Sequence, residues 1–384
     1  MAKETNMSTE GDVLSQQRQP RIRWVVVPRE QVPGWLPALI SFGAVIVALL
    51  IGAVILALAG GNPWVVYTQI ARSSFGSLGV FSDTMVKAIP LILVGLACAV
   101  AFRMRVWNIG AEGQFYLGAW GASAIVLGLL PMVPSLSSPW LIIPLMMVAG
   151  MLAGALWGGI PGFLKARFGV NEIISTLMLN YIAVFWNNFF IFAIWNENGF
   201  PQSPAFPRFA WLPRLTDYAR EFRVLGGLTT HLGLVFALVA AVLVWMLLKY
   251  SRWGYEIRLI GDNPRAAEYA GVPIKRYTVL VMMISGALAG LAGMSEISGV
   301  VHRLQGSISP GYGFTGIIVA WLAKLNPFAI ILVSILFGAL ILAGREIQPS
   351  GIPRLIQGIV LVCLIASDFL LRYRVRLQFG SKEA

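Results

Sequence analysis

Charge is scarce in this chain. Only 12% of its 384 residues are Asp, Glu, Lys or Arg, against 57% hydrophobic, whereas soluble domains carry about 25% charged residues. That shortage excludes an ordinary water-soluble globule. Cysteine and histidine are scarcer still, with two of each. Cys98 and Cys363 fall inside apolar runs and read as small buried residues, not as a disulfide or a metal site. His231 and His302 have no ligand-like spacing. The sequence holds no P-loop, zinc signature or nucleophile elbow. Any ATP that drives this protein must therefore bind another chain, and no cofactor is expected on this one. A membrane-embedded enzyme is disfavoured too, because no His, Cys and carboxylate cluster suits catalysis.

What the chain has is apolar length. Its mean hydropathy is +0.75, and its apolar runs are continuous and about 20 residues long, the length of a spanning helix. In lipid every backbone polar group must be paired internally, which leaves helices or closed barrels. Unbroken runs, in place of alternating ten-residue strands, select helices. The expected fold is an all-α polytopic membrane protein with about ten transmembrane segments. They lie at 36–59, at 84–101, in a third span that 106–114 leads into and that ends near Leu130, and at 139–164, 172–195, 232–248, 278–301, 314–323, 327–343 and 352–371. Segment 314–323 is too short to cross alone and needs the Gly/Ser/Pro-rich turn 302–313, as broken or re-entrant helices do. The end of the first segment, Leu56-Ala57-Leu58-Ala59, resembles a signal-peptidase site. Its apolar run exceeds the roughly 7–15 residues of a signal sequence, so it reads as a retained anchor. The domain reading is a polar tail at 1–33, a transmembrane domain at 34–371 and a second tail at 372–384.

The net charge of +12 does not indicate nucleic acid, because the cations gather at the ends of apolar runs. Ten spans place both termini on one side. Most of the 29 Lys and Arg residues then share that side, in the tails and at 103–105, 165–167, 249–277 and Lys324. By the positive-inside rule that side is cytoplasmic. The long connection 196–231, with Arg208, Arg214, Arg220 and Arg223, is extracytoplasmic. A constant shift lays Gly110 on Gly311, Ala119 on Ala320 and Trp120 on Trp321, which allows two related halves.

The polar interruption 249–277 contains a punctuated short helix. Asp262 or Asn263 can cap its N-terminus through a side-chain oxygen. Pro264 suits the first helical position. Arg265, Ala266, Ala267, Glu268, Tyr269 and Ala270 are mostly good helix formers. Gly271 can take the left-handed conformation that ends the helix, and Pro273 prevents its resumption. The plain reading is a solvated loop with a helical turn.

Inside the membrane, Asn108, Gly110, Glu112, Gly113 and Gln114 place a carboxylate, two amides and two glycines where an apolar helix begins. Polar groups at that depth are costly and face a cavity, a partner or a path. Amides can hydrogen-bond a sugar hydroxyl or a nucleobase edge. The alternative is that Glu112 pairs with Arg103 or Arg105. Asn180, Tyr181, Asn187 and Asn188 can line a path or bond between helices. Ser295, Glu296 and Ser298 form a comparable group on the seventh span, where Glu296 needs a partner or water. Asn171-Glu172 reads as a helix cap, and His302-Arg303 as an ordinary loop pair.

Three stretches resemble a bacterial ABC-importer permease. They are Gly261-Asp-Asn-Pro-Arg-Ala-Ala-Glu-Tyr-Ala-Gly-Val272, Val106-Trp-Asn-Ile-Gly-Ala-Glu-Gly-Gln114 and Phe168-Gly-Val-Asn-Glu-Ile-Ile-Ser-Thr-Leu-Met-Leu-Asn-Tyr-Ile182. The match is to the nucleoside and simple-sugar uptake branch of the family that includes ribose and branched-chain amino-acid permeases. It runs from the first span to the tail, and it implies the bacterial inner membrane. The resemblance also implies two homologous permeases, the second a shorter one, a separate ATPase holding ATP and Mg, and an extracytoplasmic solute-binding lipoprotein. It makes Asp262–Gly271 the coupling helix, with Gly261 beside it among the coupling residues and Ala266 and Ala267 small enough to seat it in a groove of the ATPase. The other class left open is an ATPase-independent secondary transporter or channel, with Glu112 and Glu296 relaying protons.

Overall fold

The structure is a computed structural model that describes residues 22–28, 33, 36–344 and 351–379. The basic positions Arg18 and Arg21 and the chain's last residues lie outside the described ones.

Thirteen α-helices follow one another in the described residues. The first three are α1 (Leu36–Leu58), α2 (Pro63–Phe75) and α3 (Leu78–Arg103); α4 (Ala111–Ala124), α5 (Pro139–Phe168) and α6 (Glu172–Phe189) follow. After the long connection come α7 (Gly233–Tyr250), α8 (Arg252–Asp262), α9 (Pro264–Tyr269) and α10 (Ile274–Glu296), then α11 (Tyr312–Leu322), α12 (Pro327–Ala343) and α13 (Ile352–Arg372). All ten expected segments contain a helix, the third beginning only at Ala111, after the connection 104–110. Among the described residues, five helical stretches are long and apolar enough to cross a membrane by themselves: Leu78–Arg103, Pro139–Phe168, Glu172–Ile194, Gly233–Tyr250 and Ile274–Val301.

Two helices differ from the expected loops. The first, α2, fills most of the connection after α1; Asn62 caps it by accepting from Trp64 N, and Pro63 opens it. The second, α8, precedes the expected short helix, so the interruption 249–277 holds two helices, not one. Helices α4, α6 and α10 each end in a wider π-helical turn, Ile125–Leu129, Phe190–Ile194 and Ile297–Val301.

Residues 48–361 form one unit, and α3 and α10 are its centre. The apolar stretch of α3 is almost wholly buried, and α3 packs against α10, α11 and α12, while α10 packs against α4 and α5. Close approach is what small residues permit in lipid, where packing, not water exclusion, holds helices together. A methyl added at Gly290 would collide with the backbone of Gly150 and Gly154, and one at Gly286 with Gly154. By contrast, α6 leaves most of its surface uncovered.

The glycine-rich breaks before α4 and α11 occupy matching places in the element order, each between a long helix and a half-length one. Gly110 and Gly311 stand at the two N-terminal boundaries. The second unit draws on the two ends of the chain, 1–47 and 362–384. There the strands β1 (Ile22–Pro28) and β2 (Tyr373–Phe379) pair antiparallel, Ile22 opposite Phe379. Parts of both expected tails are thus joined in a ribbon.

Candidate translocation site

The connection 104–110 and the turn before α11 bring the N-termini of α4 and α11 together. A helix start leaves backbone N–H groups without intrahelical partners, and in lipid they must be satisfied by other means. Side chains from elsewhere in the fold do so here. Glu112 Oε2 accepts from Gly313 N at 2.6 Å, so the first turn of α11 is capped by a carboxylate of α4. Asn180 on α6 accepts from Gly113 N at 2.8 Å and donates to the Ile109 carbonyl at 2.9 Å. Asn108 is fully buried. Its Nδ2 donates to Gln114 Oε1 and to Ser285 Oγ, both at 2.8 Å, and its Oδ1 accepts from Gly110 N at 3.0 Å and Gln114 Nε2 at 3.1 Å. Ser285 in turn donates to the Ala97 carbonyl at 2.7 Å.

Six of the residues singled out in the sequence therefore meet in one node: Asn108, Gly110, Glu112, Gly113, Gln114 and Asn180. Glu112 forms no ion pair with Arg103 or Arg105 among the described residues. The expected alternative is replaced by a bond to the backbone, because Glu112 lies where α11 begins. Ser285 and Gly313 were missed. A serine in an apolar helix is unremarkable until its partner is known.

Asn187 and Asn188 sit at the other end of α6. Asn187 Nδ2 donates to the Gln305 carbonyl at 3.0 Å, while its Oδ1 is buried without a hydrogen-bond partner. Tyr116 donates to the Gly306 carbonyl at 3.3 Å. An aromatic group stands beside these amides. Trp120 lies edge-on to Trp186 at 5.4 Å and to Phe190 at 5.1 Å, and Phe190 is 4.7 Å from Trp195. Tyr181, Phe185 and Phe189 on α6 are exposed.

Ser295 and Glu296 are separate from both groups. Ser295 bonds its own helix, donating to the Ala292 carbonyl at 2.9 Å. Glu296 meets Lys87 of α3 at 3.0 Å, with the Tyr312 hydroxyl at 3.4 Å. Lys87 was missed, although a lone lysine inside an apolar run was a signal that an acidic partner must exist.

Beyond this pair, the long connection is fastened to the end of α10. Leu212 N donates to the Ser298 carbonyl, Ser298 Oγ to the Ala210 carbonyl, and Arg214 Nη2 to the Gly299 carbonyl at 2.8 Å and His302 Nε2 at 2.7 Å. Trp211 stacks on the His302 ring, centroids 3.7 Å apart. The loop pair His302-Arg303 is thus built into the structure: Arg303 also meets Glu197 at 3.0 Å. Burial, with the Arg214 guanidinium against it, pushes His302 down to about 4. Burial followed by Arg214 and Lys87 pushes His231 down to about 3.

At the opposite side, α8 and α9 form a polar corner. Asn263, not Asp262, caps α9, accepting from Ala266 N at 3.1 Å, while Asp262 closes α8. Gly271 has φ +75, the left-handed stop read from the sequence. A methyl at Gly261 would strike the Arg103 carbonyl, so α8 lies directly on the end of α3. The Tyr277 hydroxyl and, less strongly, Arg252 hold the Glu256 carboxyl below its ordinary range. Ala267 is fully buried against its own chain, which corrects the expectation that it faces a partner. The outward face carries Arg265, Ala266, Glu268 and Tyr269, the last 96% exposed. Among the described residues no group of three or more His, Cys, Asp or Glu is placed to hold a metal ion.

The family of branched-chain amino acid transport system permease components matches residues 80–365. The glucose ABC transporter permease of Haloferax volcanii is 33% identical over 373 residues, covering 92% of this chain and 94% of its own. The guanosine ABC transporter permease NupP of Bacillus subtilis is 35% identical, covering 87% and 94%. A second guanosine permease of the same organism, NupQ, is 27% identical over 66% of this chain and 78% of its own. No solved structure matches. Half-helices meeting at a buried polar node, a polar corner of two helices and a match across most of the chain converge: the chain belongs to the branched-chain amino acid transport system permease family, as a multi-pass permease component of an ABC importer.

Proposed function

We propose that this chain is the longer permease of an ATP-driven importer for nucleosides or related sugar-containing solutes. It works by alternating access with a second, shorter permease. Its relatives' names supply the solute class: guanosine, nucleoside and glucose permeases. A second, more distant permease of matching name in Bacillus subtilis supports the pairing. A separate ATPase holds ATP and Mg, and a solute-binding lipoprotein delivers the solute on the 196–231 side. The α8–α9 corner and both tails face the cytoplasm of the inner membrane, as the charge asymmetry requires.

The observation that carries the coupling role is α9. It is anchored inward by Ala267 and presents Tyr269, almost fully exposed, on the same outward surface as Arg265 and Glu268. An exposed aromatic flanked by charges of both signs fits a partner's pocket better than it fits water. The solute path runs along the uncovered face of α6, where Asn188 and the exposed aromatics offer amides and stacking surfaces. The buried node around Asn108 and Glu112 holds the half-helices that border it. The test is uptake of labelled guanosine and glucose into proteoliposomes holding this chain, the shorter permease and the ATPase. ATP-dependent uptake of at least one is expected; gradient-driven uptake with the ATPase left out would sink the reading.

A further inference from the structure

A cleft of about 700 Å³ opens between the first turns of α5 and α7, beside the long connection. The volume is in the range of small-molecule pockets, about 300–1,000 Å³. Its walls are apolar: Ile143, Pro144 and Met147 from α5, Leu234, Val235 and Phe236 from α7. Two aromatics stand at its mouth, Trp140, 88% exposed, and Tyr218, 48% exposed. Exposed Trp and Tyr at helix ends mark the boundary between headgroups and hydrocarbon. From Pro139 to Met147 the helix descends about 12 Å at 1.5 Å per residue. That is most of one leaflet's share of a roughly 30 Å hydrocarbon core. The cleft thus runs from the interface into the membrane.

Its polar end is chemically one-sided. Arg214, Thr230 and His231 line it, and no carboxylate does. His231 is neutral, its proton affinity suppressed by burial. Asp217 lies beyond the lining, accepting from Arg214 N at 2.9 Å and facing Arg208 at 4.0 Å. Arg214 spends Nε and Nη2 on Gly299 and His302, which leaves Nη1 for a further acceptor. An apolar slot with a single fixed cation at the headgroup level complements an amphiphile with an anionic head. We propose that the cleft holds one acyl chain of an anionic phospholipid from the leaflet on the 196–231 side, its phosphate on Arg214. Such a lipid braces the 213–218 segment against α5 and α7, the two helices it enters between.

The test uses the full transport complex, reconstituted in nanodiscs of equal phosphatidylglycerol and phosphatidylcholine, released and weighed by native mass spectrometry. About one phosphatidylglycerol per copy of this chain is expected to survive release. Val235→Trp, which fills the slot from an exposed position, should lower that occupancy at least fivefold. Should Val235→Trp fail to assemble, Val235→Phe serves, with a smaller loss. Arg214→Gln should abolish the preference for the anionic lipid. Equal retention of both lipids by the unaltered chain, or full retention by the filled variants, overturns the proposal. So does disulfide cross-linking of Val235→Cys to the shorter permease, which would give the cleft a protein occupant.

Discussion

The buried pair Lys87–Glu296 makes a quantitative demand. The two charges are 3.0 Å apart, and the residues are 5% and 3% exposed. Removing one partner strands the other in a low-dielectric interior, which costs about 3–5 kcal/mol, whereas replacing both with apolar groups is often neutral. Two details set the order within that range. The Tyr312 hydroxyl remains beside Glu296 when Lys87 goes, so Lys87→Met should fall near the lower end. Glu296→Leu leaves an ammonium 6.0 Å from the Tyr312 ring centroid as its nearest compensation and should fall near the upper end. Glu296 Oε2 already lacks a hydrogen-bond partner, so the pair does not repay its full desolvation. The double variant should then lie within about 1 kcal/mol of the unaltered chain, a coupling of about 7 kcal/mol by double-mutant cycle. At roughly 2 °C per kcal/mol for a large chain, each single variant should unfold about 6–10 °C lower, followed by size exclusion after heating in detergent. Single effects under about 0.5 kcal/mol, or effects that simply add, would show that the two side chains do not stabilise each other. A stable double variant that has lost uptake would move the pair from scaffold to transport.

Three further expectations concern other regions. Tyr269→Ala should leave the melting temperature unchanged and reduce ATP-driven uptake at least tenfold, whereas Ala267→Trp should instead destabilise the α8–α9 corner, read as faster proteolysis there. Gly290→Leu forces a side chain into the backbone of Gly150 and Gly154; overpacking costs about 1–3 kcal/mol in cores that can yield, and more is expected here, read as loss of assembled protein. His302 is held down at about 4 from an ordinary 6.5, so below pH 6.5 the unfolded chain takes up a proton that the folded one refuses. Stability should therefore fall from pH 6.5 towards pH 4, with His231, held at about 3, adding to the same slope; His302→Phe should make that slope shallower by about half in melts across the range, and an unchanged slope would assign it to other groups.

The sequence made the helices legible because lipid permits so little else. The α12 bounds read from the sequence, 327–343, are those observed, since Pro327 starts the run. Apolar content alone could not find α2 or α8, which are amphipathic and lie among loop residues, although Asn62-Pro63 carried a cap signal. The site was half legible. Glycines and amides at 108–114 announced a break in the membrane, but their partners Ser285 and Gly313 lie far along the chain and bear no local mark. Which face of α9 turns outward was also beyond reach, because six residues give too short a period. Placing Ala267 inward depends on how α8 rests on α3.

The helix α10 and its π-turn run unbroken from Ile274 to Val301, about 40 Å at 1.5 Å per residue. One end begins two residues after Val272 at the foot of α9; the other is stitched to the long connection through Ser298, Gly299 and His302. Backbone-to-backbone contacts along its middle leave no compressible side-chain layer to absorb a shift. Whatever grips the connection and whatever grips α9 are thus loads on one shaft. Thermodynamic reciprocity then requires that any change in affinity which a ligand at one end makes at the other be returned by the same factor.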